Sequence, residues 1–240
     1  MKDKTRAAKA DLHAHLKRAI LTMEMRPGDD IDEAALTQAF GLSRTPFREV
    51  LREMAGAGYL DIRAGRGARV AEMSHTTLRD FFLAAPMIYG AILRLAAGNA
   101  TPDQIARLEQ AQGDFRKTLR SGTAAQRALA NNRFHEITGE MAGNSYLLAA
   151  FHRLLIDHAR IGMTFYRPQN NDMAENLTTA ADQHDAIIAA IEARRPDEAA
   201  RLAEAHWQLS RDQIESFVMP APLDASLGTY PAASAQEGPR

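Results

Sequence analysis

The sequence predicts a mainly α protein: an N-terminal winged helix-turn-helix with a small β-hairpin wing, then a C-terminal antiparallel all-α bundle. Three observations predict it. Residues 35–51 read as a helix, a glycine turn and a second helix. Residues 59–71 contain two short strand-like runs, and from Ser74 to Val218 apolar residues recur only at helical spacing. The expected units are therefore 1–73 and 74–219, with 220–240, rich in Pro, Ala, Gly and Ser, as a disordered tail.

In the first helix, Leu12, Leu16, Ile20 and Leu21 form an apolar stripe, and Arg26-Pro27-Gly28-Asp29 closes it. Leu36, Phe40, Leu42, Phe47, Val50 and Leu51 are the expected buried positions of the following helix pair. Gly41 permits a turn that a Cβ would obstruct. Ser43 is placed to N-cap the second helix of the pair, with Pro46 in its first turn. That helix continues through Arg52 and Met54 to Ala57-Gly58. Tyr59-Leu60-Asp61-Ile62-Arg63 and Ala68-Arg69-Val70-Ala71 then pair across the turn Ala64-Gly65-Arg66-Gly67.

Arg44 and Arg48 are four apart, so they project from one side of their helix. An arginine pair at the leading end of a recognition helix suits guanines in a major groove. The arginine-bearing tip of the hairpin suits phosphate or a minor groove. These features predict binding to double-stranded DNA.

Met25-Arg26-Pro27-Gly28, Leu36, Ser43-Arg44-Thr45-Pro46-Phe47-Arg48-Glu49-Val50-Leu51, Gly58-Tyr59-Leu60 and Gly65-Arg66-Gly67-Ala68-Arg69-Val70 occur in order. Together they resemble the winged-helix domain of GntR-family transcription regulators, over nearly all of residues 8–72. The resemblance implies that Arg44, Thr45 and Arg48 contact DNA and that Gly65 approaches it. With Ser43 at the helix start and Arg66 at the wing tip, the candidate DNA-binding set is Ser43, Arg44, Thr45, Arg48, Gly65 and Arg66.

Composition restricts the alternatives. The chain has 240 residues, enough for two cores, and no cysteine, so no disulfide or thiolate metal site is available. Its N-terminus, Met1-Lys2-Asp3-Lys4-Thr5-Arg6, is charged, which predicts no signal peptide. The longest uncharged apolar run, Phe81 to Leu93, is 13 residues and contains Pro86, which predicts a core helix rather than a membrane span. A cytoplasmic location without a membrane partner is expected. Net charge is −1; residues 1–72 are net +2 and residues 73–240 net −3. With so slight a basic bias, DNA affinity must come from the placement of the arginines and from dimerisation.

The bundle reads as six helices. The first follows Ser74-His75-Thr76 to about Gly98, with Leu78, Phe81, Phe82, Met87, Ile88, Ile92 and Leu95 expected to be buried. Thr101 caps the next, with Pro102 at its first position, and Ser121-Gly122-Thr123 breaks it. Ala124 to Met141, Ser145 to Arg167, Met173 to Arg194 and a last helix ending at Val218 complete the set.

Asn131 and His135 lie four apart on one helix face. His184 and His206 are each 11 residues from Arg195, in the turn between two antiparallel helices, which places them at one height. Three imidazoles and an amide thus converge in the bundle, as metal sites of helical bundles do. Nitrogen and oxygen donors suit a divalent transition metal, Zn²⁺ or Ni²⁺ first, with Mn²⁺ and Fe²⁺ also compatible. His152 and His158 are expected at a pocket rim or the surface.

Asn131-Asn132-Arg133-Phe134-His135, Gly143-Asn144, His184 and His206 resemble the FCD effector-binding domain of the FadR subfamily. The resemblance implies metal ligation by His135, His184 and His206, with Asn131 where an aspartate is usual. The family's effector-binding arginine motif aligns with Ala85-Pro86-Met87-Ile88-Tyr89, so its fixed cation is missing. Arg133, Arg160 or Arg167 is a candidate to replace the charge and Tyr89 offers a hydroxyl, with Tyr89, Arg133 and Arg160 as the candidate effector-pocket set.

The expected function is that of a homodimeric regulator reading a palindromic operator, its affinity set by a small-molecule effector, with a carboxylate favoured. No activation segment is evident, which favours repression. A metal-responsive regulator is the alternative. A helical metalloenzyme is less favoured, because the nearest acids, Glu136 and Asp185, point away from the histidines.

Overall fold

The computed structural model describes residues 2–168 and 171–218; the tail expected at 220–240 lies outside them. Helix α1 (Lys2–Leu21) is followed by α2 (Glu33–Phe40), α3 (Arg44–Gly56) and the hairpin β1 (Leu60–Arg63) and β2 (Gly67–Val70). The bundle then comprises α4 (His75–Asn99), α5 (Pro102–Ser121), α6 (Ala124–Ala142), α7 (Ser145–Phe165), α8 (Asn171–Glu192) and α9 (Pro196–Val218).

In the N-terminal unit, Leu12, Leu16 and Ile20 of α1 meet Phe47, Val50, Leu51 and Met54 of α3 and Leu60 and Val70 of the hairpin. Each is no more than 2% exposed, and burying one such side chain contributes about 1.5–3 kcal/mol. Leu36 and Phe40 are only partly buried, contrary to expectation, because the short α2 packs at the edge of this core and buries no residue fully. Gly41 ends α2 in the left-handed conformation, φ 62°, which strains a side chain. Ser43 occupies the N-cap of α3, but its hydroxyl makes no capping bond.

The hairpin is antiparallel, with Leu60 opposite Val70 and Arg63 opposite Gly67. The segment before α2 adds a third edge that the sequence reading missed. Asp30 bridges to Arg69, and the Ile31 N–H donates to the Ala68 carbonyl at 2.9 Å.

In the bundle, α4 is central, touching α6, α7, α8 and α9. Its inner face carries Phe81, Ala85, Tyr89, Ile92, Leu93 and Ala96. Helices α5 and α6 open with reciprocal capping boxes, Thr101 with Gln104 and Thr123 with Gln126. Met87, expected to be buried, is 75% exposed, and Leu83 one turn earlier is 66% exposed. Position 87 is two residues from both Ala85 and Tyr89, about 200° around the helix, and so faces outward. Among the described residues α4 is the one helix long and apolar enough to cross a membrane. The 13-residue run understates it because the helix tolerates charges near its ends; its inner face packs inside the bundle.

The two units share an interface. Leu21 of α1 packs on Ile156 and Ala159 of α7. Lys17 pairs with Glu136 at 2.7 Å, and Arg160 donates to the Ala71 carbonyl at 2.8 Å.

Candidate functional sites: a DNA face and a buried histidine cluster

The start of α3 and the hairpin tip form one exposed face. Ser43, Arg44, Thr45, Arg48, Gly65 and Arg66 are all exposed. Gly65 has φ 71° with open space where a Cβ would be, so the tip can approach another molecule closely. A concave cleft of about 740 Å³ runs between α3 and the wing, lined by Arg48, Arg52, Arg63 and Arg66 among others. Arg52 and Arg63 were missed, because only the folded hairpin brings their helix and strand together. Arg48 lies 4.0 Å from Glu33; an exposed pair of this kind is weak, so phosphate or a base can displace it.

Inside the bundle, one nitrogen from each of His135, His184 and His206 lies within 4.8 Å of the others. Each histidine is at most 5% exposed. Phe134 stacks on the His184 ring at 3.8 Å and 10°, which fixes the ring plane. Asn131 is buried one turn before His135 on α6.

The hydrogen bonds around the cluster define its chemistry. Gln112 Nε2 donates to the Ala181 carbonyl at 2.7 Å and to Asp185 at 2.8 Å. Both partners only accept, so the amide orientation is fixed and Gln112 Oε1 faces His184 Nδ1, at 3.0 Å. His184 Nδ1 therefore carries the proton, and its Nε2 presents a lone pair. His206 Nδ1 lies 2.9 Å from Gln183 Oε1, so this ring too has a carboxamide on its far nitrogen. The two Nε2 atoms face each other at 3.2 Å. His135 Nε2, also buried, has no hydrogen-bond partner.

Burial pushes His135 and His184 well below the usual histidine range, and neighbouring imidazoles add to the effect. His206 is pushed down to about 3, again by burial first. The cluster is neutral at pH 7, so its imidazoles do not carry a charge that would repel a cation. Neutral imidazoles with free lone pairs and carboxamide partners on their far nitrogens are suitable donors for a divalent transition ion. The donor set fits such a group.

His158 corrects the sequence reading: it is buried, 8% exposed, rather than at a rim or the surface. It shares a short hydrogen bond with the Tyr89 hydroxyl, and its ring centre lies 5.1 Å from that of His135. His152 is exposed, as expected. Of the candidate pocket residues, Tyr89 joins the histidines, its ring 5.5 Å from His135. Arg133 does not: it lies on the outer face of α6, with its guanidinium on Glu136 and Glu140. Arg160 sits at the interface with the N-terminal unit. Helical phase explains both departures, since position 133 is two residues from His135 and position 160 two residues from His158, which faces the cluster.

A recognition helix and wing presented by a helical bundle define a winged-helix transcription regulator. Residues 8–70 match the family model for bacterial regulatory proteins of the gntR family, and residues 86–209 match the FCD domain. The chain belongs to the GntR family and carries an FCD domain.

It is 30% identical over 173 residues to the probable D-xylose utilization operon transcriptional repressor of Paenarthrobacter nicotinovorans, covering 71% of this chain and 72% of that one. It is 29% identical over 213 residues to the transcriptional repressor NanR of Escherichia coli K12, covering 80% and 78%. Among solved structures, E. coli McbR/YncC superposes with a TM-score of 0.74 at 17% identity, covering 88% of this chain and 98% of that one. A GntR regulator from Rhodococcus sp. RHA1 gives 0.60, also at 17% identity, covering 90% and 96%. At such identities the structural likeness shows the fold alone.

Proposed function

We propose that this regulator is a homodimeric repressor whose operator affinity responds to a small carboxylate bound beside a divalent metal ion in the histidine cluster. The observation that carries the metal assignment is the convergence of one nitrogen from each of His135, His184 and His206 within 4.8 Å in a buried site. His135, His184, His206 and Asn131 would hold the ion, Zn²⁺ or Ni²⁺ by donor type. When bound, the ion supplies the positive charge that attracts a carboxylate. Gln112 and Gln183 orient two of the imidazoles, while Tyr89 and His158 offer a polar edge beside them. Repression is supported by the two relatives named as repressors. Dimerisation is supported by the outward apolar pair Leu83 and Met87 on α4.

The test is capture of genomic fragments by the full-length protein, followed by operator titration by fluorescence anisotropy. Wild type should bind one palindromic sequence far more tightly than random DNA. Arg44→Ala and Arg48→Ala should each lose about 1–3 kcal/mol of that discrimination while keeping the wild-type circular dichroism. Unchanged discrimination in both variants would remove α3 as the reading helix. Operator affinity that is the same with and without chelator, across a panel of small carboxylates, would remove the histidine cluster as the control point.

A further inference from the structure

Arg160 is the largest of the fully buried side chains, and its side chain is 0% exposed. It lies where α7 meets the N-terminal unit. Its Nη2 donates to the Ala71 carbonyl at 2.8 Å, and Nη1 is 3.3 Å from an Asp157 oxygen. Yet among the described residues Nε and Nη1 have no hydrogen-bond partner, and neither has the facing Asp157 Oδ1. Asp157 also pairs with Arg153 at 3.2 Å, so one carboxylate serves two guanidiniums. A buried guanidinium with unfilled donors is unfavourable unless something else accepts from them.

Arg160 also lines a cavity of about 400 Å³, with Met23 and Arg26 on one side and Met163, Thr164 and Arg167 on the other. Three guanidiniums and a hydroxyl therefore border one space, and among the described residues no carboxylate lines it. Among the described residues, neither Arg26 nor Arg167 forms an ion pair. Arg26 follows α1 in the winged-helix unit, whereas Arg160 and Arg167 belong to the bundle. Met23 takes a left-handed φ of 58° in the turn that delivers Arg26.

We propose that this cavity is an anion site, distinct from the histidine cluster, that binds a small dianionic oxyanion: a phosphate monoester or a dicarboxylate. Planar guanidiniums bond such oxygens in pairs, and the volume suits a small metabolite. An anion held by Arg26 on one side and by Arg160 and Arg167 on the other ties the DNA-binding unit to the bundle. It therefore favours this arrangement over any other and couples its own binding to operator affinity. The inference does not rest on metal or effector binding at the histidines.

Calorimetric titration of the full-length protein with inorganic phosphate tests it, at ionic strength held constant with chloride, with succinate as the second probe. At least one anion should bind saturably, and which one binds tells the two sources apart. Arg26→Gln and Arg167→Gln, both at exposed positions, should each weaken it by about tenfold or more. Arg133→Gln, remote from the cavity, should change nothing, and chelator-treated protein should bind as the untreated protein does. No saturable binding of either anion would overturn the proposal. So would binding undiminished in either cavity variant, or binding lost on chelator treatment.

Discussion

At the scale of single residues, the glutamine behind His184 decides what the cluster can do. Gln112 is locked by the Ala181 carbonyl and Asp185, so it fixes the imidazole tautomer and leaves Nε2 free. Gln112→Leu should lower metal affinity about 10- to 100-fold without unfolding the chain, measured by competition with a chromogenic chelator. Equal affinity in the variant would mean that Gln112 does not orient a ligand. The buried histidines also set a pH dependence. Their folded values lie below the unfolded value, so acid protonates the unfolded chain first. Stability of chelator-treated protein should be full above pH 6.5 and fall towards pH 4, the range set by His158 at about 4. The slope is about 1.4 kcal/mol per pH unit for each such histidine. A flat urea midpoint between pH 7 and 4.5 would contradict this. The convergence of the three histidines was legible in the sequence because equal spacing from Arg195 puts two of them at one height. Gln112, Gln183 and His158 were not, because no spacing rule links them to the residues they meet.

At the scale of elements, cap chemistry made helix ends legible. Thr101 and Thr123 each sit three residues before a glutamine, and both form the reciprocal box. The strand-like edge at Asp30 and Ile31 was hidden because its pairing partner, β2, is distant and its pattern is short. Two glycines separate local from long-range constraint. A Cβ on Gly41 meets open space, so Gly41→Ala pays only for the left-handed backbone, about 1–2 kcal/mol. A Cβ on Gly58, at φ 90°, would push aside the end of the Arg153 side chain of the bundle and with it the Arg153 pair to the buried Asp157. Gly58→Ala should therefore be the more destabilising in thermal melts of the full chain, and it should disturb the unit interface. Equal melting temperatures for the two variants would argue against that contact.

At the scale of the whole molecule, the interface between the N-terminal unit and the bundle connects the arginine-bearing face with the histidine cluster's domain. Lys17 with Glu136, Leu21 with Ile156, and Arg160 with Ala71 all cross it. None was legible in the sequence, since periodicity assigns faces to helices but does not say which unit covers which face. The outward pair Leu83 and Met87 belongs to the same scale. Met87→Glu should convert a dimer to a monomer in light scattering and weaken binding to a two-half-site operator. A monomeric wild type, or a variant still dimeric, would place the dimer contact elsewhere or remove it. The net charge of −1 adds an expectation: operator binding should fall steeply with salt, because specific arginines rather than bulk charge supply the attraction.

The most direct test of the metal-linked control site is elemental analysis of tag-free protein purified without chelator, beside His184→Ala. The account predicts about one transition-metal ion per chain in the wild type and its loss in the variant, with both proteins equally helical. No metal in the wild type, even after incubation with Zn²⁺ and Ni²⁺, would contradict it and leave the histidines as polar lining.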